Sequence, residues 1–455
     1  MKKHILGFLL LGVMIAPASG QASVLDIQSV TSEKGIAAWL VEDKTVPVLS
    51  LQFAFLGAGA INDPDGKQGV SQLLSNTLDE GAGDFDAKEF QEALNDNSIS
   101  LSFSSSRDNF SGSLKTLNKY QDTAFELLSM ALSSPRFEDE AIERMKQANM
   151  ARIRSNMSDP EWLAARLSNT VLFENHAYAR NSGGTLSSLP KITAQDLEEK
   201  RSKQFAKDNL IVAVSGNITA EDLKIYLDQV FANLPETAEL KTLEQVPQPE
   251  GSQIVQHKLP VPQTVVEIAY PGLSRMDEDY FAAEVMNYIF GGAGFGSRLT
   301  ETVREQNGLT YGIYSGMQDM KYADLYSIGT STRSEKVAEV LNLIEKETMK
   351  IKSTKVTAKE LQDAKSYLLG SVPLSLTSTD KIASVMLSFQ SRNLPEDYLD
   401  IREHEIKKVT PDDIKRAANR ILQNDKKTIL LVGAAIEQDN QSEAIRYIET
   451  LPDIE

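Results

Sequence analysis

The sequence predicts an α+β fold of two homologous domains, each a mixed or antiparallel sheet with helices packed on one side. Three observations carry this. KITAQDLEEKRSKQFAKDNLIVAVSG (191–216) and KVTPDDIKRAANRILQNDKKTILLVG (408–433) align without a gap at an offset of 217. FEDEAIERMKQANM, from Phe137, resembles VTAKELQDAKSYLL, from Val356, at an offset of 219. Each copy also runs alternating strands first, long helical segments next and a strand to close, the order that layers helices on a sheet. A repeat this long is a duplicated domain rather than a solenoid.

The elements follow in chain order. MKKHILGFLLLGVMIAPASGQAS opens with two lysines, continues with an apolar run from Ile5 to Ile15, and offers two small-residue cleavage sites, Ala16-Pro17-Ala18 and Gly20-Gln21-Ala22. That pattern reads as a cleavable signal peptide over 1–22 and a periplasmic destination. The apolar run is short for a bilayer, so no stable membrane span is expected after cleavage; an uncleaved anchor is the lesser alternative. VLSLQFAFL, from Val48, and ISLSFSSS, from Ile99, read as strands. Asp63-Pro64-Asp65-Gly66 reads as a turn, and GVSQLLSNTLDEGAG, from Gly69, as the start of a helix. Thr193 and Thr410 precede helical stretches as N-caps, with Pro411 at the first helical position. A polar, proline-bearing linker at 235–253 separates an N-terminal domain (23–234) from a C-terminal one (254–455).

Composition narrows the function. Of 455 residues, 41% are hydrophobic and 24% charged, which suits a soluble globular chain with ample core. The formal charge of −17 argues against nucleic acid, whose phosphates need clustered Lys and Arg. With no cysteine there are no disulfides, no thiolate metal sites and no Cys nucleophile. Beyond the signal segment only His176, His257 and His404 remain.

That scarcity bears on Gln72, Ser75 and Asn76, which fall at i, i+3 and i+4 and share one helix face. The spacing is one by which a helix offers two ligands to one metal, yet neutral amides bind zinc poorly. Ser75 has too high a pKa to serve as a general base and no histidine beside it. On the residues alone the favoured reading of the trio is an ordinary polar helix face, because a single such spacing is a weak signal.

Three segments resemble one family. GVSQLLSNTLDEGA, FGGAGFGSRLTETVREQNGLTYGIYS (from Phe290) and HAYARNSGGTLSSLPKIT (from His176) are similar to the pitrilysin/insulinase family of zinc metallopeptidases, in its processing-peptidase-like branch. The resemblance covers essentially the whole mature chain. It implies that Gln72 and Asn76 stand where the family's zinc histidines stand, and Ser75 where its catalytic glutamate stands, in the inverted motif His-x-x-Glu-His. The family's third ligand, a glutamate, is expected near Ala151 or Arg152. All four groups are missing, so this chain is expected to bind no metal.

What the resemblance implies to be kept is Arg304 and Tyr311, the family's substrate-contacting pair, whose donors suit a carbonyl or a forming oxyanion. Arg298 is a second basic residue nearby, with a structural role at least as well supported. Gly291–Gly296 lacks the setting of a nucleotide-binding loop. Some family members divide the work between a zinc-bearing subunit and one carrying the Arg/Tyr pair. The expectation is therefore a zinc-free subunit of a heterodimeric peptidase, with a homologous zinc-motif partner and a peptide substrate. The alternative is an inert peptide-binding or scaffold protein of the same fold. A hydrolase built from unrelated residues ranks last, because nucleophilic triads are hard to assemble from these residue types.

Overall fold

A computed structural model describes residues 23–435 and 444–451, so the expected signal peptide at 1–22 lies outside the described residues. The strand at Val48–Leu56 shows how the fold is encoded. Leu49, Leu51, Phe53 and Phe55 alternate into one core, while Ser50, Gln52 and Ala54 point to the opposite face. Full burial of each large apolar side chain contributes about 1.5–3 kcal/mol, so the alternation sets which face looks inward.

The first sheet contains β1 (Gln28–Thr31), β2 (Ala37–Glu42), β3 (Val48–Leu56), β4 (Ser100–Ser105), β5 (Asn109–Leu117) and β6 (Leu210–Gly216), in the order β1-β2-β6-β3-β5-β4. The second contains β7 (Gln253–Lys258), β8 (Gln263–Pro271), β9 (Ile313–Asp319), β10 (Asp324–Arg333), β11 (Thr428–Gly433) and β12 (Ile445–Tyr447), in the order β12-β7-β11-β8-β10-β9. Five strands correspond in both order and direction: β2 and β6 pair in parallel as β7 and β11 do, and the remaining matched pairs are antiparallel. The sixth strand differs. β1 runs antiparallel to β2, whereas β12 comes from the other end of the chain and runs parallel to β7. Thr193 and Thr410 cap Ala194–Gln204 and Pro411–Ile421, each in a capping box closed by an aspartate.

Each half covers one face of its sheet with its own helices. The other face carries something the repeat does not announce. Pro160–Leu172, started by the Asp159 cap and Pro160, leaves its own half and packs on β11 and β8 of the second sheet. Leu163, Ala164 and Leu167 are buried there against Val255, Leu430 and Val432. The equivalent helix of the second copy, Thr379–Ser391, packs reciprocally on β3 and β6. Its contacts are polar as well as apolar: Ser50 and Thr379 hydroxyls lie 2.8 Å apart, Gln52 donates to Ser384 at 2.6 Å, and Gln390 donates to the Val212 carbonyl at 2.9 Å. The two copies thus exchange one helix each. Among the described residues no helix is long and apolar enough to cross a membrane.

Candidate functional site

The helix bearing Gln72 and Ser75 is short, Val70–Ser75, with Asn76 as its C-cap. Its start is held by a buried carboxylate rather than by its own N-cap side chain. Asp63 accepts from the Gly69 and Ser71 N–H groups at 2.8 and 3.0 Å and from the Ser71 hydroxyl at 2.5 Å. Gly69 has φ 96°, and a Cβ there would lie 2.7 Å from the Gly184 Cα, so both conformation and space require glycine. Lys200, buried, brings its Nζ to 3.2 Å from Asp63 and donates to the Gly59 carbonyl and to Gln204 at 3.1 and 2.8 Å. Burial lowers the pKa of Lys200, and Asp63 opposes that shift.

On this mounting the three predicted positions do come together. Gln72 Nε2 donates to Ser75 Oγ at 3.3 Å and to Asn76 Oδ1 at 3.4 Å, and the Ser75 hydroxyl donates to the Gln72 carbonyl at 2.8 Å. A fourth member arrives from the helix Asp139–Asn156: Asn149 Nδ2 donates to Asn76 Oδ1 at 3.2 Å. Arg152, one turn on, donates to Asn149 Oδ1 at 3.4 Å. The position facing the platform is therefore Asn149. Ala151 is exposed, because two residues along a helix turn a side chain by about 200°. Asn149 was hidden in the sequence because an asparagine among polar neighbours carries no signal of its own.

Arg304 and Tyr311 lie in the other half. Arg304 closes the helical turn Thr300–Glu305, its guanidinium 4.4 Å from the centroid of the Phe295 ring and 3.4 Å from Glu305. The chain then turns through Gly308, whose N–H donates to the Arg304 carbonyl at 2.8 Å. Tyr311 follows, 88% exposed, at the rim of a cavity of about 730 Å³ between the Pro160–Leu172 helix and the second sheet. Its hydroxyl makes no hydrogen bond among the described residues. No hydrogen bond or ion pair among them joins Arg304 or Tyr311 to Gln72, Ser75 or Asn76, so the two sets stand apart.

Comparison with known proteins agrees with this geometry. Residues 43–185 match the family described as insulinase (peptidase family M16), and residues 191–368 match the peptidase M16 inactive domain. A protein of Helicobacter pylori named non-peptidase homolog YmxG is 29% identical over 418 residues, covering 91% of this chain and 94% of that one. The mitochondrial-processing peptidase subunit beta of Saccharomyces cerevisiae is 24% identical over 416 residues, covering 87% and 88%. A crystal structure of a peptidase M16 inactive domain from Pseudomonas fluorescens superposes with a TM-score of 0.85 at 30% identity, covering 91% of this chain and all of that one. The chain belongs to the M16, or insulinase, family. Within it, this chain is an inactive peptidase homologue.

The chemistry of its M16 platform says why. Asn76 Oδ1 already takes two N–H donors and Asn149 Oδ1 takes a guanidinium, so the oxygens that would face a metal are filled by hydrogen-bond donors. The Arg152 charge beside them opposes a cation. Among the described residues no group of three or more His, Asp or Glu is placed to hold a metal ion. These residues do not fit zinc. His176 is committed elsewhere: its Nδ1 accepts from the Tyr178 N–H, its Nε2 lies 3.2 Å from the Glu244 carbonyl, and its ring meets Tyr178 edge-on and Tyr322 at a tilt where the halves meet.

Arg298 is a structural anchor for the M16 segment that carries Arg304. Its Nε and Nη2 donate to the two oxygens of Glu360 at 2.7 and 3.0 Å, and Glu360 also completes the capping box of Ala358–Gly370 with Thr357. Gly291 lets the same segment approach β9, since a Cβ there would meet the Ser315 hydroxyl at 2.4 Å. Burial works against the Glu360 charge, but Arg298 and Thr357 outweigh it and hold the carboxyl down from an ordinary 4.5 to about 2. The folded carboxyl is the stronger acid, so its contribution is complete above about pH 4.5 and is lost as pH falls toward about 2. After allowance for solvent screening of this partly exposed pair, the loss is expected to be about 1–2 kcal/mol. Urea unfolding from pH 6 down to pH 2.5 checks it. The wild type is expected to lose this increment and Arg298→Met to lose a smaller one, since Thr357 still bonds the carboxylate; parallel pH profiles would refute the assignment.

Proposed function

We propose that this chain is the zinc-free subunit of an exported heterodimeric metallopeptidase. It pairs with a homologous zinc-motif chain, closes a chamber around a peptide, and presents Arg304 and Tyr311 to that peptide. The observation that carries this reading is the contrast between the two sets. The platform positions are consumed by one another, whereas Tyr311 is free and exposed at the rim of a large cavity, with Arg304 in the same segment.

Zinc is expected in the partner, not here. The task of this chain is to bind and orient. Arg304 N–H groups and the Tyr311 hydroxyl donate to the substrate carbonyl oxygen and hold it more strongly as negative charge develops. Exposed sheet edges at β4 and β9 offer main-chain groups to an extended peptide. The periplasmic assignment rests on the N-terminal segment of the sequence.

The test is reconstitution. The mature chain is mixed with the zinc-motif homologue from the same organism, and peptide cleavage is followed by mass spectrometry. Activity is expected only on mixing. It is expected to fall about 100-fold in Arg304→Ala or Tyr311→Phe, the scale for removing one oxyanion donor. Cleavage by the zinc-motif chain alone at the full rate would favour the second reading, a catalytically inert peptide-binding or scaffold protein.

A further inference from the structure

The cavity at the Tyr311 rim has an internal order set by strand register. Glu267 of β8 pairs with Gly329 of β10, and Gly329 pairs with Tyr314 of β9. One row across the sheet therefore reads carboxylate, gap, aromatic ring. A Cβ built on Gly329 would meet nothing within 4 Å, so the middle of the row is open space. Adjacent strands lie about 4.8 Å apart, which sets the carboxylate and the ring roughly 10 Å apart at their bases.

The electrostatics of this slot are one-sided. Glu267 and Glu161 line the cavity, and no Lys or Arg does. Glu267 is largely buried; one of its carboxyl oxygens has no hydrogen-bond partner, and burial raises its pKa, relieved only in part by the Ser168 hydroxyl. A buried carboxylate without a counter-charge is costly, and a cation entering the slot would remove that cost. Tyr314 and Tyr311, both exposed, add aromatic faces on the opposite wall.

We propose that this slot receives the cationic side chain of an extended peptide, Lys or Arg, with its charge toward Glu267 and its stem along Tyr314 and Tyr311. The proposal deepens the reading of the Tyr311 rim as the peptide-facing surface and rests on it, but it concerns this chain alone and is tested without a partner.

The probe is a fluorescein-labelled alanine-rich octapeptide with one central arginine, compared with the same peptide carrying neutral citrulline. Binding to the purified mature chain is followed by anisotropy up to millimolar protein. The arginine peptide is expected to bind about tenfold or more tightly than the citrulline peptide, the scale of one desolvated charge contact. Glu267→Gln is expected to abolish the preference. Gly329→Val, which fills the slot without touching the carboxylate, is expected to weaken the arginine peptide to the level of citrulline; it carries the test if Glu267→Gln does not fold. Equal binding of the two peptides, no binding of either, or a preference that survives both variants would overturn the proposal. The two readings fail separately. An arginine preference without proteolysis on mixing would sink the heterodimer alone, and proteolysis without the preference would sink the slot alone.

Discussion

Lys200→Met is expected to lower the unfolding free energy by about 3–5 kcal/mol, the range for removing one partner of a buried ion pair. Both charges are almost completely buried, and the Lys200 ammonium faces the Asp63 carboxylate at 3.2 Å. Methionine keeps much of the volume and removes the charge, which leaves Asp63 compensated only by the Gly69 and Ser71 hydrogen bonds. The damage is local before it is global, since Asp63 is what starts the platform helix. Guanidinium unfolding gives the magnitude, and hydrogen exchange at Ser71 and Leu73 reports the loosened helix. A variant within about 1 kcal/mol of wild type would mean that water reaches this pair and screens it.

The second large effect is a gain. Gln72→His and Asn76→His with Asn149→Glu, and Arg152→Gln to remove the adjacent charge, are expected to yield a chain holding one zinc per molecule after dialysis. The wild type is expected to hold none. Two imidazoles and a carboxylate are the donors zinc takes in open sites, and they would replace Asn76 and the two side chains, Gln72 and Asn149, that already hydrogen-bond to it. Metal analysis by mass spectrometry is the readout. The control is the same set with Ala151→Glu in place of Asn149→Glu. Ala151 points away from Asn76, so that chain is expected to stay metal-free. Equal zinc in both designs would mean that Asn149 does not mark the third position.

Much of the platform was legible because helix spacing is a local property. Gln72, Ser75 and Asn76 were readable as one face, and the structure joins them by hydrogen bonds. Asn149, which bonds Asn76 and takes a hydrogen bond from Arg152, is not singled out by the sequence. Nothing local in a long polar helix says which side chain meets a partner some seventy residues earlier. Arg298 was readable as a basic residue near Arg304, but its bond to Glu360 depends on where a later helix starts.

The sequence by itself determined the duplication, the alternating strands, the threonine caps and the neutral, poorly zinc-binding side chains at 72, 75 and 76. Each depends on periodicity, spacing or residue chemistry, all of which act over a few bonds. Only the tertiary structure decided that the copies exchange helices, that Asn149 completes the platform, and that Glu267, Gly329 and Tyr314 fall in one row. An alternating strand encodes which of its faces is apolar, but not which segment covers either face. Leu163 and Leu430 join one cluster, and Glu267 and Tyr314 face each other across Gly329, because whole elements pack to bury apolar surface. That choice is made by the summed contacts of both halves, and no short stretch of chain contains it.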